Sequence, residues 1–173
     1  MTKTELIAKL DEEVQSLLKT LSQKDNPTFF QKQGGKWSIA ENTQHLVLSA
    51  KPLNLAFTLP KFIFRILFGK PNRKSHPYEE IVKRYDRLLK DGAVATGAFV
   101  PKSIPLKGDK SELIDRFRKT YETLLNKIGS WSEEELDNYF LPHPLLGKLT
   151  VREMLCFTAH HINHHHNTIK RIS

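Results

Sequence analysis

The chain has 173 residues, of which 39% are hydrophobic and 27% are charged. This size and composition are typical of one globular domain, so we expect residues 1–173 to form a single domain. No apolar run approaches the roughly 20 residues that a membrane-spanning helix needs, and the first residues lack the apolar stretch of a signal peptide. Cys156 is the only cysteine, which excludes an internal disulfide. These features together predict a cytoplasmic protein.

Basic residues outnumber acidic ones, which gives the chain a net charge of +8 at neutral pH. Such a charge is compatible with a surface that binds nucleic acids or other anions. However, the sequence contains no recognised DNA- or RNA-binding motif, and its lysines and arginines are spread along the chain. We therefore favour a generally basic surface and expect no specific nucleic-acid partner.

The first helix is predicted over residues 3–24, where apolar residues recur with the helical period. Residues 25–27 should end this helix, and residues 28–37 should connect it to the next one. The second helix should begin at Ser38, because Ser38 and Glu41 have the spacing of a capping box. His45 lies about two turns into this helix, beside its apolar stripe.

Residues 53–68 are unusually apolar, with Lys61 and Arg65 as their charged residues. Pro52 should bend the second helix or end it early, and Pro60 should divide the apolar segment into two short pieces. The segment could pack in the core, form a contact in a dimer, or lie on a membrane surface with its basic residues at the edge. We favour core packing combined with a dimer contact over the membrane alternative.

The middle of the chain is predicted to alternate between loops and helices. Residues 69–77 should form a basic loop with an exposed His76, and residues 78–90 have the period of a helix. Residues 91–108 contain several glycines and prolines, so we expect a long loop there. Loops of that length often border a functional site, and this one could line the mouth of a binding pocket.

A further long helix is expected over residues 109–129, with Asp109 or Ser111 as its cap. A short helical turn should begin near Ser132. Residues 140–149 are predicted to form a loop that leads into the last helix. We find no pair of strands joined by a tight turn, so the elements indicate an all-α fold.

The last helix is predicted over residues 150–173, because Thr150 and Glu153 form another capping-box pattern and neither proline nor glycine follows them. The segment carries five of the eight histidines of the chain. His161 and His165 fall on its apolar stripe, one turn apart, so their side chains should point to the core.

The other histidines of this region are weaker candidates for a site. His160 and His164 belong to the strip beside the apolar stripe, and their role stays open. His166 shares a face with charged residues and should point to water. His143 lies between two prolines in extended backbone. A structural or exposed role is favoured for His143, and a role as a ligand or substrate contact is the alternative.

A histidine pair one helical turn apart can present two imidazole nitrogens to one cation. The pair is also compatible with two core histidines without metal, or with an expression tag. A tag is disfavoured, because Ile162 and Asn163 interrupt the histidines and more helical sequence follows. Since catalytic zinc sites commonly use three protein ligands, a third ligand would have to come from elsewhere in the chain.

Two motifs make the chain resemble the DinB/YfiT-like superfamily. The first is KWSIAE over residues 36–41, followed by the dipeptide His45-Leu46, and the second is HINHH over residues 161–165. The loop over residues 143–150 is similar to that family as well. At residues 166–168 the sequence departs from the common family pattern, which leaves open any contact tied to those positions.

The resemblance implies an up-down-down-up four-helix bundle, often a homodimer, with extra short helices between the second and third long helices in this chain. It also implies a metal site formed by His45, His161 and His165, with water at the open positions. The apolar stripe of the last helix independently selects the second and third of these residues.

A divalent ion on three neutral histidines could be zinc or nickel, because both suit imidazole ligands. The resemblance implies a metal-dependent enzyme acting on a small molecule, either as a thiol-dependent S-transferase using a low-molecular-weight thiol or as a hydrolase. The alternatives are a non-catalytic metal-binding or stress-response bundle and a basic interaction protein with vestigial histidines. No strong general base is apparent, since Glu41 and Glu153 are predicted to be helix caps.

Overall fold

The computed structural model describes residues 1–104 and 108–172 of the chain. Four long helices form the body of the fold, and shorter helices and a two-stranded hairpin lie between them. In chain order the elements are α1 (Lys3–Gln23), α2 (Asn26–Phe30), α3 (Ile39–Ala56), α4 (Phe62–Phe68), α5 (Tyr78–Lys90), α6 (Lys110–Gly129), α7 (Glu135–Asn138), β1 (Phe140–His143), β2 (Gly147–Thr150) and α8 (Val151–Lys170).

The four long helices, α1, α3, α6 and α8, pack side by side around a shared hydrophobic core. The largest contacts join α3 to α6 and α1 to α8, and smaller ones join α1 to α6 and α3 to α8. Each helix turns its apolar stripe inward, because burying the stripe removes apolar surface from water. The core positions without any exposed surface include Leu10, Leu46, Phe117, Leu124 and Leu155.

The starts of the long helices follow the capping patterns in the sequence. The Ser38 hydroxyl accepts a hydrogen bond from the backbone N–H of Glu41, and the Glu41 carboxylate accepts one from the N–H of Ser38. Thr150 and Glu153 form the same reciprocal pair, and Asp109 caps α6. Because these caps fix where each helix begins, they also fix which later residues face the core.

Two details of the first half differ from the expectations. The connection predicted over residues 28–37 begins inside a short helix, α2, which is capped by Asp25. Phe29 and Phe30 of this helix are buried, so the hydrophobic core stabilises it. α3 continues for about one turn beyond Pro52. An early end of the helix at this proline, one of the two predicted outcomes, is therefore wrong.

Residues 140–149 contribute to a β-hairpin and do not form the predicted loop. β1 and β2 are antiparallel, with Leu141 opposite Leu149. Both leucines are buried, so the hairpin adds apolar side chains to the core. Gly147 follows the turn with a φ of 74°, which glycine adopts without steric cost. The expectation that no strand pair exists is wrong, because strands of four residues are too short to give a clear alternating pattern.

The apolar segment over residues 53–68 is partly core and partly surface. Pro60 lies between α3 and α4 and separates the two pieces, as predicted. Phe64 is buried, whereas Ile66 and Leu67 are 74% and 61% exposed. Core packing is thus confirmed for part of the segment, and the dimer contact stays a prediction. In the described part of the chain, no helix is long and apolar enough to cross a membrane.

An ion pair attaches the loop between α4 and α5 to the start of α8. Arg73 donates two hydrogen bonds, of 2.5 and 2.9 Å, to the fully buried carboxylate of Glu153. The same carboxylate accepts a hydrogen bond from the backbone N–H of His76, whose ring lies 2.9 Å from Glu80. His76 is therefore partly buried, and the prediction that it is exposed is wrong.

The long loop predicted over residues 91–108 is described for residues 91–104 and for Gly108. Those residues contain one 3₁₀ turn, Gly97–Phe99, and neither an α-helix nor a strand. Residues 105–107 lie outside the described residues, so the prediction is untested there. The 3₁₀ turn packs against α3, which brings backbone groups of the loop to the bundle.

Candidate metal centre

Three buried imidazole rings meet where α3 faces α8. His45 comes from α3, and His161 and His165 lie one turn apart on α8. The Nε2 atom of His161 lies 3.1 Å from Nε2 of His45 and 3.1 Å from Nε2 of His165. One nitrogen from each ring lies within 4.8 Å of the other two. The fold thus brings together the three histidines that the sequence selected.

The outer nitrogens of two of these rings are held by hydrogen-bond acceptors. Nδ1 of His45 donates to the backbone carbonyl of Phe99 at 2.7 Å, and Nδ1 of His165 donates to Oδ1 of Asn42 at 2.8 Å. The Nδ2 group of Asn42 donates to the carbonyl of Ser38, which leaves its Oδ1 atom as the acceptor for His165. Both rings therefore carry their proton on Nδ1 and present a lone pair at Nε2.

The three Nε2 atoms carry too few protons for each close pair of them to form a hydrogen bond. A single proton on Nε2 of His161 can be donated to only one of its two neighbours, His45 or His165. A divalent cation can accept all three lone pairs at once. Nitrogen ligands that bind zinc at about 2.0–2.1 Å lie roughly 3.0–3.4 Å apart. The two distances of 3.1 Å from His161 fall in this range. The residues present therefore fit a divalent metal ion.

Burial keeps the three rings neutral. It lowers the pKa of His45, and it lowers the pKa of His161 and of His165 well below the ordinary value of 6.5. The neighbouring imidazoles add to this effect, because a proton on one ring repels a proton on the next. Neutral imidazole is the form that binds a metal ion, so the rings are ready to do so at pH 7.

Aromatic side chains cover the histidine cluster on two sides. Trp37 stacks on His165 with ring centroids 6.3 Å apart, and it lies 5.0 Å from the ring of His45. Phe157 stacks on His161 with centroids 5.0 Å apart. These contacts restrain the imidazole rings and keep water from their faces.

A cavity of about 790 Å³ adjoins the cluster, and His45, His161 and His165 form part of its wall. No Asp, Glu, Lys or Arg of the described residues lines it. A molecule in this cavity would meet the histidine cluster on one side and mainly apolar side chains elsewhere. The apolar part of the wall includes Leu53, Phe64, Leu67, Val94, Val100 and Met154.

The other histidines of α8 have partners outside the cluster. His166 is 3% exposed, and its Nε2 atom lies 2.7 Å from Oγ1 of Thr20. The prediction that it points to water is wrong, because α1 covers that face of α8. His160 lies 3.0 Å from the carboxylate of Asp86. His164 lines the cavity beside the cluster.

His143 has a structural role in the hairpin and also lines the cavity. Its Nδ1 atom accepts hydrogen bonds from the backbone N–H groups of Leu145 and Leu146. Burial lowers the pKa of His143 to about 4, so the ring is neutral at pH 7 and carries its proton on Nε2. The ring packs against Phe157 with centroids 4.2 Å apart. These contacts agree with the favoured structural interpretation.

Sequence analysis missed the two groups that orient the cluster. Asn42 precedes His45 by three residues, so it lies on the same side of α3, and this spacing is a usable signal. The carbonyl of Phe99 gives no such signal, because any residue can supply a backbone carbonyl. Glu41 and Glu153 act as caps, as predicted, and neither lines the cavity.

Comparisons with known proteins agree with this fold and this cluster. The model of the DinB superfamily matches residues 9–169 of the chain. Among curated proteins, no sequence matches it. The structure is similar to that of YfiT from Bacillus subtilis, described as a probable metal-dependent hydrolase with an unusual four-helix bundle topology. The TM-score is 0.62 at 16% identity, and the alignment covers 99% of this chain and 85% of YfiT.

The structure is also similar to the colibactin self-resistance protein ClbS, solved in complex with dsDNA. The TM-score is 0.59 at 17% identity, with 99% of this chain and 94% of that chain covered. At such identities the two likenesses show the fold alone. They confirm the predicted up-down-down-up four-helix bundle with its additional short helices. Because the family model spans nearly the whole sequence, the chain belongs to the DinB superfamily.

Proposed function

We propose that the protein is a metal-dependent enzyme whose divalent ion is held by His45, His161 and His165. The observation that carries this proposal is the convergence of three Nε2 atoms, two of them in rings whose protons are held on Nδ1. Membership of the DinB superfamily supports it, and so does the description of YfiT as a probable metal-dependent hydrolase. Zinc and nickel are the proposed ions, because both bind imidazole nitrogen well.

The ion would supply a Lewis acid, which polarises a bound group or lowers the pKa of a water or thiol ligand. The protein supplies orientation. The carbonyl of Phe99 and the amide oxygen of Asn42 hold the rings of His45 and His165 in the tautomer that exposes Nε2. Outer contacts of this kind commonly orient metal-binding histidines and raise their basicity.

A substrate would approach the cluster from the adjoining cavity, since Trp37 and Phe157 shield the faces of the rings. His164 lines the same cavity. Burial, followed by the nearby ring of His160, lowers the pKa of His164, so a ring nitrogen is free to accept a proton at pH 7. No carboxylate of the described residues lines the cavity. His143 also lines the cavity, but its Nδ1 atom accepts two backbone hydrogen bonds in the hairpin. We therefore assign proton transfer to His164.

Two reaction types are compatible with the proposed ion, the cavity and His164. The description of YfiT favours hydrolysis, whereas the resemblance to the DinB/YfiT-like superfamily also implies a thiol-dependent transferase. Simple esters, and thiols paired with an electrophile, can be tested as substrates of wild type and His165→Ala. Turnover of one class that is lost in the variant would assign the reaction. Turnover that survives the substitution would contradict a role for the cluster.

The alternative is a non-catalytic bundle that keeps the metal for stability or for a stress response. The cavity favours the enzyme, because structural metal sites are closed by four protein ligands, whereas catalytic sites keep a position open. A metal-loaded protein that turns over neither substrate class would support the alternative.

Three further expectations belong to this proposal. We expect a cytoplasmic homodimer, which light scattering would detect as twice the monomer mass of 20.0 kDa. We also expect no specific nucleic-acid partner for this chain, although ClbS was solved with dsDNA. A mobility shift with one duplex DNA that survives an excess of unrelated DNA at physiological salt would contradict that expectation.

A further inference from the structure

The wall of the cavity discriminates between ligands by charge. Its described lining contains no charged side chain, so a charged group along the body of a ligand would lose hydration without gaining a counter-charge. With the proposed ion bound, a group that can donate an electron pair is favoured at the histidine cluster. The cavity therefore suits an uncharged body with one functional end.

The apolar wall continues to the mouth of the cavity. Leu67 of α4 and Val94 of the loop after α5 line the cavity, although they are 61% and 69% exposed. Apolar side chains that rim a cavity mark a ligand-binding groove, because a bound apolar molecule covers them. Leu67, Val94 and His161 thus line the same cavity.

The size of the cavity indicates a ligand larger than a small ester or a water molecule. Its volume of about 790 Å³ falls in the range of roughly 300–1,000 Å³ found for sites that bind drug-sized ligands. A ligand that contacted only the cluster would leave most of the apolar wall uncovered. Binding energy would then be lost, because covering apolar surface is the main favourable contribution here.

We propose that the cavity binds a small amphipathic molecule, with an uncharged apolar body against the apolar wall that includes Leu67 and Val94 and one electron-pair-donor group at the histidine cluster. The position of the donor group rests on the proposed metal function. The apolar body does not, because the wall that binds it exists without a metal.

A series of alkane-1-thiols with four to eight carbons tests both parts. The affinity for each thiol is measured by displacement of the fluorescent apolar probe N-phenyl-1-naphthylamine from zinc-loaded and from chelator-treated protein. In both forms, affinity should rise about three- to fourfold for each added methylene group, since each one leaves water for an apolar wall. Zinc should raise the affinity for the thiols by the same factor at every chain length. Alkan-1-ols of equal length, which are poorer zinc ligands, should show no such increase in affinity.

Matched variants locate the binding site of the probe and the thiols. Leu67→Glu and Val94→Glu place a carboxylate in the wall at exposed positions, where folding should be unaffected. Ile66→Glu is the control, because Ile66 is 74% exposed on the same helix and does not line the cavity. We expect octane-1-thiol to bind about tenfold more weakly in the first two variants. The control should stay within about twofold of wild type.

The outcomes separate this inference from the proposed function. Affinities independent of chain length in both forms, or equal losses in Leu67→Glu and Ile66→Glu, would overturn the assignment of the cavity, even in a protein that binds zinc. If the protein takes up no added zinc and the chain-length dependence persists, the apolar body is supported. The position of the donor group is then overturned, together with the metal function on which it rests.

Discussion

The Nδ1 atom of His165 donates a 2.8 Å hydrogen bond to Oδ1 of Asn42, so a residue of α3 sets the orientation of a ring carried by α8. Asn42 is held in turn, since its Nδ2 group donates to the carbonyl of Ser38 at 2.8 Å. The cap of α3 and the orientation of a proposed ligand are thereby linked through one side chain. This link gives Asn42 a positioning role that can be separated from metal ligation.

Replacing Asn42 with alanine should weaken metal binding without abolishing it. His165 would keep its lone pair but lose the contact that fixes its tautomer and orientation, and loss of such a contact typically costs 10- to 100-fold in affinity. Competition with a chromophoric zinc chelator measures this change. Asn163→Ala is the control, because Asn163 donates to Glu13, away from the cluster. Equal affinity in Asn42→Ala and wild type would disprove the positioning role.

Acidification should release the metal ion. Protons compete with the ion for the three Nε2 atoms, and burial places the pKa of each ring below 6.5. Release should therefore begin below that value, as the pH falls past about 6. Zinc content after dialysis across the range from pH 8 to pH 4.5 measures the release. Affinity that stays constant between pH 5 and pH 8 would argue against histidine ligands.

The metal-free protein should lose stability in acid partly through His143. Burial lowers the pKa of His143 to about 4 from an ordinary value of 6.5, so between these values the unfolded chain binds a proton that the folded chain does not. The contribution of this titration to the free energy of unfolding is then fully present above pH 6.5. It is lost as the pH drops towards 4. His143→Asn removes this titration and keeps a side-chain acceptor for the hairpin turn.

Urea denaturation at pH 7 and pH 5, with chelator present, compares the two proteins. Wild type should lose about 1 kcal/mol more than His143→Asn over this interval, after allowance for partial solvation of the ring. An identical loss in both proteins would show that His143 takes up no extra proton on unfolding.

The ion pair between Arg73 and Glu153 should contribute to stability far more than a surface pair. Burial alone would raise the pKa of Glu153, but hydrogen bonds from Arg73 and two backbone N–H groups lower it and keep the carboxylate charged. Arg73→Met would leave that buried charge without its cation. Because Arg73 is itself 31% exposed, we expect a loss of about 2 kcal/mol, less than for a fully buried pair.

Arg116→Met is the control for that substitution. Arg116 pairs with Glu112 one turn away on α6, and its side chain is 47% exposed. Removing this pair should change the free energy of unfolding by less than about 0.5 kcal/mol. Thermal denaturation of both variants tests the difference, and similar shifts in Tm would contradict the importance of the Arg73 contact.

Helix starts and the pair of His161 and His165 could be predicted from the sequence because both depend on local spacing. Ser38 with Glu41 and Thr150 with Glu153 mark helix starts within four residues of sequence. The apolar stripe of α8 then points His161 and His165 inward, whatever the partner helix is. The third histidine required the family motifs, because spacing along one helix says nothing about contacts to another.

Two of the wrong predictions, those for His166 and His76, concern contacts between distant segments. His166 lies on a polar face of α8, and only the packing of α1, which brings Thr20 to it, makes that face buried. His76 is covered by the buried carboxylate of Glu153, which is 77 residues away in sequence. The carbonyl of Phe99 is likewise placed by the fold, without a side-chain pattern to indicate it.

The central claim is that His45, His161 and His165 bind one divalent ion, and elemental analysis of two untagged variants tests it most directly. His161→Ala removes the ring whose Nε2 lies 3.1 Å from both other Nε2 atoms. His166→Ala removes another buried histidine of the same helix, bound to Thr20. We predict near-stoichiometric zinc or nickel in wild type and His166→Ala, and none in His161→Ala. Equal metal content in all three proteins would contradict the claim.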